Sequence, residues 1–124
     1  MELVSYFRKD FYISEIINTF VQFRIVMRII AKKTLVAFYT RHPDAKTALE
    51  EWYEKTENAE WETFSHVRAQ FNSADSVGNK RIVFNIKGND YRLVTIVLFK
   101  AKMVFIRFVG THDEYAKIKD IKNI

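Results

Sequence analysis

The chain contains no cysteine, one proline and three glycines in 124 residues. Without thiols it can form no disulfide, no cysteine nucleophile and no cysteine-based zinc site. So little proline and glycine, with 48% apolar residues, points to a folded globule rather than disorder. The length allows one domain with its own core and is short of two. No uninterrupted run approaches the roughly 18 apolar residues of a membrane span. Polar residues break the apolar N-terminal region and no small-residue cleavage pattern follows it, so it does not read as a signal peptide. A cytoplasmic protein fits these absences.

What is present is positive charge in one place. Residues 1–26 carry three basic and three acidic side chains, residues 27–75 seven and eight, and residues 76–124 ten and four. The whole excess of +5 therefore lies in the last third of the chain and the segment just before it. A localised basic surface is the electrostatic footprint of a polyanion-binding protein. Its bland alternative is a solvated lysine-rich face.

Within that region, residues 80–115 alternate apolar and polar positions over three runs, the mark of strands with one buried face. Ile82, Phe84 and Ile86 fall on one side and Arg81, Val83, Asn85 and Lys87 on the other. Gly88-Asn89 reads as a two-residue hairpin turn, because glycine accepts the positive φ of the first central position. That register opposes Asn85 to Arg92, Phe84 to Leu93 and Ile86 to Tyr91. A two-residue loop at 100–101 or 101–102 then brings Arg107 to the face of Arg92. The resulting antiparallel meander presents Arg81, Asn85, Lys87, Arg92 and Arg107 on its polar side. Gly110-Thr111-His112 ends the strands, with Thr111 able to cap a short C-terminal helix.

Upstream, Lys32 begins a helical pattern that stops at Arg41-His42-Pro43, since the residue before proline is biased out of the helical region. Asp44 is expected to cap a second helix from Ala45 to about Thr56, and a third runs near Thr63 to Phe71. Residues 72–79 read as a loop into the sheet. With MRIIAKK as a strand candidate at Met27, the fold class is α+β: an N-terminal strand and two to three helices packed on one face of a mostly antiparallel sheet, with the basic face left free. Residues 1–26 read as an N-terminal extension, either native or upstream of a true start at Met27, with the domain proper at 27–124.

These segments look familiar. MRIIAKKTL, RHPDAKTALEEWY, RIVFNIKGNDYRLV and FIRFVGTHDEY, in this order and spacing, resemble the HigB family of type II toxin-antitoxin systems, whose members have a RelE-like fold. The likeness runs from Met27 to about Ile118. It implies an mRNA interferase, an endoribonuclease that cuts messenger RNA during translation in the ribosomal A site, and a HigA-like helix-turn-helix antitoxin as partner. It also implies that Arg92 stands where RelE-like toxins hold a functional arginine on the sheet.

RNA cleavage through the ribose 2′-hydroxyl needs a base, cations for the charge developing on phosphorus, and an acid for the leaving oxygen. Arg92 and Arg107 suit the second task, because a guanidinium matches phosphate oxygens bidentately and stays charged. His112 can serve as acid or base, the usual role of an imidazole, and Tyr115, three residues on, shares its helix face. The alternatives are strand-face arginines in surface ion pairs and a helix-start histidine packed on the sheet edge. Lys80, Arg81, Asn85 and Lys87 are candidates to grip RNA, with Arg68 a weaker one. His42 and His66 read as structural. No carboxylate cluster or histidine pair suggests a metal, and no cofactor is expected. The competing function is a non-catalytic RNA- or DNA-binding module on the same face. Purified protein beginning at Met27 is expected to fold and act, and its failure to do so would remove the extension hypothesis.

Overall fold

The computed structural model describes residues 27–124. The extension expected at residues 1–26 lies outside the described residues. Strand β1 (Arg28–Ile30) leads into helix α1 (Lys32–Arg41), then a 3-10 turn (Pro43–Ala45), α2 (Lys46–Glu57) and α3 (Phe64–Gln70). Strands β2 (Asp75–Gly78), β3 (Arg81–Ile86), β4 (Tyr91–Leu98) and β5 (Met103–Thr111) follow, then α4 (His112–Ala116) and a 3-10 turn (Ile121–Asn123).

The five strands form one sheet in the order β1-β5-β4-β3-β2. All neighbours are antiparallel except β1, which runs parallel to β5. The helices lie on the face carrying Ile82, Phe84, Ile86, Leu93 and Val97, and bury Leu35, Phe38, Leu49, Trp52 and Val67 against it. Phe84 is the hub. Trp52 and Phe71 meet its ring edge-on at 5.4 and 5.2 Å, and Trp61 stacks at 6.2 Å. Edge-to-face rings gain from opposed quadrupoles beyond the area they bury.

The β3–β4 register is the one that the Gly88-Asn89 turn requires: Asn85 opposite Arg92, Phe84 opposite Leu93, Ile86 opposite Tyr91. Gly88 takes φ 65°, and the Asp90 N–H closes the turn on the Lys87 carbonyl at 3.2 Å. Lys87 itself also has positive φ, 53°. At the other end Leu98 opposes Met103 around a Lys100-Ala101 loop. Farther along, Val94 pairs with Phe108 but Thr95 with Ile106, so Arg107 is the extra residue of a β-bulge.

Three expectations are corrected. The stretch 72–79 is not all loop, because Asp75–Gly78 pairs with β3 as an edge strand. Its mixed, exposed side chains carry no alternation, which is why pattern alone misses it. Asp44 does not cap α2: the 3-10 turn intervenes, Ala45 occupies the cap position without a side-chain bond, and the Asp44 carboxylate goes elsewhere. The sheet face away from the helices is not wholly free. Val83 and Val94, which alternation places there, are 3% and 0% exposed.

Because Phe84 is the contact shared by three other rings, Phe84→Ala is expected to cost about 3–5 kcal/mol. Chemical denaturation should show the midpoint falling with the slope unchanged.

Candidate functional site

Arg92 stands on the face away from the helices, opposite Asn85 and half-buried. Its Nη1 donates to the carbonyls of Asn89 (3.1 Å) and Tyr91 (3.2 Å), and its Nη2 donates to Asn89 Oδ1. The guanidinium carbon lies 5.8 Å from the centre of the Tyr115 ring. Cation–π contact and the Asn89 clamp hold the arginine in one pose while leaving part of its donor set unused.

Tyr115 is placed by a helix of five residues, too short to stand on propensity alone. A capping box holds it: Thr111 Oγ1 accepts from the Glu114 N–H at 3.1 Å, and the Thr111 N–H donates to Glu114 Oε1 at 2.8 Å. Gly110 makes room for this. A Cβ there would stand 2.7 Å from Glu114 Oε1 and 2.5 Å from the Phe108 ring. The His112 N–H donates to the Asp90 carbonyl at 3.0 Å, tying the helix start to the β3–β4 turn. A shallow cleft of about 280 Å³ opens here, lined by Asn89, Asp90, Tyr91, Thr111, His112 and Asp113.

The same turn is pinned to the helical layer. Tyr91 donates its hydroxyl to Asp44 Oδ1 at 2.6 Å, and Lys87 Nζ lies 3.1 Å from Asp44 Oδ2 and 3.4 Å from Asp90. His42, stacked on Phe38 at 4.3 Å, meets the Tyr91 ring edge-on. The Tyr91 hydrogen bond, then Lys87, holds the Asp44 carboxyl below its ordinary range. The same Asp44 contacts raise Lys87 and Tyr91.

The residues singled out from sequence thus fall into separate groups. Arg92 and Tyr115 are in contact, and His112 lies on the same short helix as Tyr115. Arg107 and Arg81 meet instead at the other end of the face, where Arg107 Nε (3.2 Å) and Arg81 Nη2 both donate to the Ile124 backbone oxygen. Arg81 pairs with Ile96, four residues and so roughly 13 Å of strand from Arg92, while Arg107 lies between the partners of Val94 and Thr95. Lys87 is engaged by two carboxylates. Lys80 lines an apolar cavity of about 490 Å³ with Phe64, Ile82 and Phe99. Arg68 sits on α3, in the layer that packs on the opposite sheet face. His66 accepts the Glu62 N–H at 3.0 Å, as a structural histidine does. Asp44 and Asp90 are the participants that sequence reasoning missed. Asp44 lies more than 40 residues from its partners, and no local pattern signals such a contact.

Two outcomes follow. Asp44, with a depressed folded-state pKa, contributes stability that is present above its unfolded value and is lost as pH falls through the acid range. Lys87 and Tyr91, both raised, contribute stability present below their unfolded values and lost as pH rises beyond about 10. Melting curves against pH should show both flanks, and Asp44→Asn should flatten them. Thr111→Ala should cost about 1 kcal/mol and weaken the hold on Tyr115.

Comparison with known proteins agrees with this architecture. The family model described as HigB_toxin, RelE-like toxic component of a toxin-antitoxin system, matches residues 45–118. The mRNA interferase toxin HigB of Escherichia coli (strain K12) is 32% identical over 91 residues, covering 72% of this chain and 88% of that protein. The mRNA interferase HigB of Shigella flexneri matches to the same extent, and that of Escherichia coli O6:H1 is 27% identical over 94 residues, 74% of this chain and 91% of its own. The match covers both the Arg92 hairpin and the capped helix, and the chain belongs to the HigB family of RelE-like toxins.

Proposed function

We propose that the chain is the toxin of a toxin-antitoxin pair, an endoribonuclease that cleaves messenger RNA on the translating ribosome in the cytoplasm. A helix-turn-helix antitoxin neutralises it. The curated relatives carry the name mRNA interferase, and the observation that carries the site is the Arg92 guanidinium, clamped by Asn89 and backed by Tyr115. A cation held in one pose with unused donors is what a phosphate undergoing attack requires, because preorganised charge needs no reorganisation as the transition state forms.

In the reaction the ribose 2′-oxygen attacks the adjacent phosphorus. A base takes its proton, the bond from phosphorus to the 5′-oxygen breaks, and an acid protonates that oxygen. The products are a 2′,3′-cyclic phosphate and a 5′-hydroxyl. Arg92 holds the non-bridging oxygens. His112, with its side chain half exposed at the cleft, exchanges the proton. Tyr115 orients Arg92 and offers a ring on which a base can stack. Arg81 and Arg107 hold RNA backbone farther along the same face.

Purified protein added to an in vitro translation reaction, with ribosome-free RNA in parallel, should produce discrete new ends by primer extension only in the translating sample. Folded Arg92→Ala should lower the cleavage rate by roughly 10²-fold or more, and His112→Ala by about 10²-fold or more. Uncut RNA in both samples, from folded protein free of antitoxin, would leave a non-catalytic nucleic-acid-binding module as the better account.

A further inference from the structure

The far end of the polar face holds two guanidinium groups converging on one oxygen. Arg81 Nη2 and Arg107 Nε both donate to the Ile124 backbone oxygen. The segment that brings this oxygen there is built for the position. Asn79 Nδ2 donates to the Lys122 carbonyl at 3.1 Å and lies 3.3 Å from Asn123 Oδ1. Asn123 closes the turn on itself through Asp120, with its N–H on the carbonyl at 3.0 Å and its Nδ2 on the carboxylate at 2.8 Å. Arg81 Nη1 in turn donates to the Asn79 carbonyl at 3.1 Å. Since α4 stands at the β3–β4 turn end of the sheet, residues 117–124 run along the polar side to reach Arg81.

The fit is incomplete. Arg81 Nε is buried and has no hydrogen-bond partner among the described residues. The Ile124 oxygen accepts from both guanidiniums and leaves Arg81 Nε without an acceptor. A phosphate presents several oxygens, so it can meet Nε as well as the donors that the turn already satisfies.

We propose that Arg81 and Arg107 form a phosphate site which the turn 121–124 fills in the free chain and which an RNA backbone phosphate takes over by displacing it. This rests on the RNA-cleaving reading above and adds a regulatory contact to it. Arg81 stands roughly 13 Å of strand from Arg92, and the oxygen on which Arg81 and Arg107 converge is one that Arg92 does not touch, so the site receives a different phosphate from the one attacked. The turn is a competitor for RNA, not a part of the catalytic centre.

The test uses a single-stranded RNA methylated at every 2′-oxygen, which binds without being cut, followed by fluorescence anisotropy. Removing residues 121–124 should tighten binding by about 3- to 10-fold. In an Arg81→Ala/Arg107→Ala background the same removal should have no effect, because the contested site is gone. Asn79→Ala in the full chain, which loosens the turn without shortening it, should give a smaller gain of the same sign and keeps the test open if the shortened chain does not fold. Unchanged or weaker binding in folded variants, or a gain that persists without the two arginines, overturns the proposal. Absent RNA binding in every variant overturns it together with the RNA reading, whereas binding that responds as expected without cleavage of ordinary RNA supports it and counts only against the nuclease.

Discussion

Everything on the polar face depends on the register that the Gly88-Asn89 turn imposes on β3 and β4. Side chains alternate with period two, so a slip of one residue would carry Arg92 into the layer of Phe84 and Leu93 and bring the core residues out. Burying an unpaired guanidinium among those rings would cost far more than any turn can supply. The turn and the core thus enforce the same alignment: Gly88 accepts the positive φ, and Ile82, Phe84 and Ile86 reject any other pairing. Placing Arg92 on the outer face follows from what its neighbours in the strand must bury.

The same end of the sheet is then made rigid by polar contacts of long sequence range. Asp44, in the turn between α1 and α2, takes the Tyr91 hydroxyl and the Lys87 ammonium, and so fixes the helical layer to the very hairpin that positions Arg92. On the other side of the turn, the Asp90 carbonyl receives the His112 N–H and fixes α4. The β3–β4 hairpin is held from both sides. A site that must stabilise a developing charge benefits from this, since a clamped cation loses little freedom when it meets phosphate.

Local rules made much of this legible. Alternation and a two-residue turn were enough for the β3–β4 register; helical spacing and Pro43 were enough for α1; a threonine able to cap after the strand end was enough to start α4. What escaped was non-local. Asp44 reads as a helix cap because aspartate before a helix commonly is one, but its carboxylate is worth more to Tyr91 and Lys87 across the fold than to the free N–H groups beside it. Strand β2 escaped because an exposed edge strand buries nothing and so needs no pattern. The bulge at Arg107 escaped because an inserted residue leaves the alternation on either side intact.

That bulge shifts where the Arg107 side chain can reach. A regular β5 would place Arg107 directly across from Val94 and close to Arg92, where two like charges would compete for the same space. With the extra residue, Val94 pairs with Phe108 instead, and the Arg107 guanidinium reaches the same oxygen as Arg81. Like-charged guanidiniums tolerate such proximity when an acceptor lies between them, and here the Ile124 oxygen does so. At the hairpin end, among the described residues, no second cation is in contact with Arg92, whose neighbours are the Asn89 amide and the Tyr115 ring. One end has a rigidly held cation, and the other has two cations sharing an acceptor. The first arrangement suits charge that develops during a reaction, and the second suits a ligand that arrives already charged.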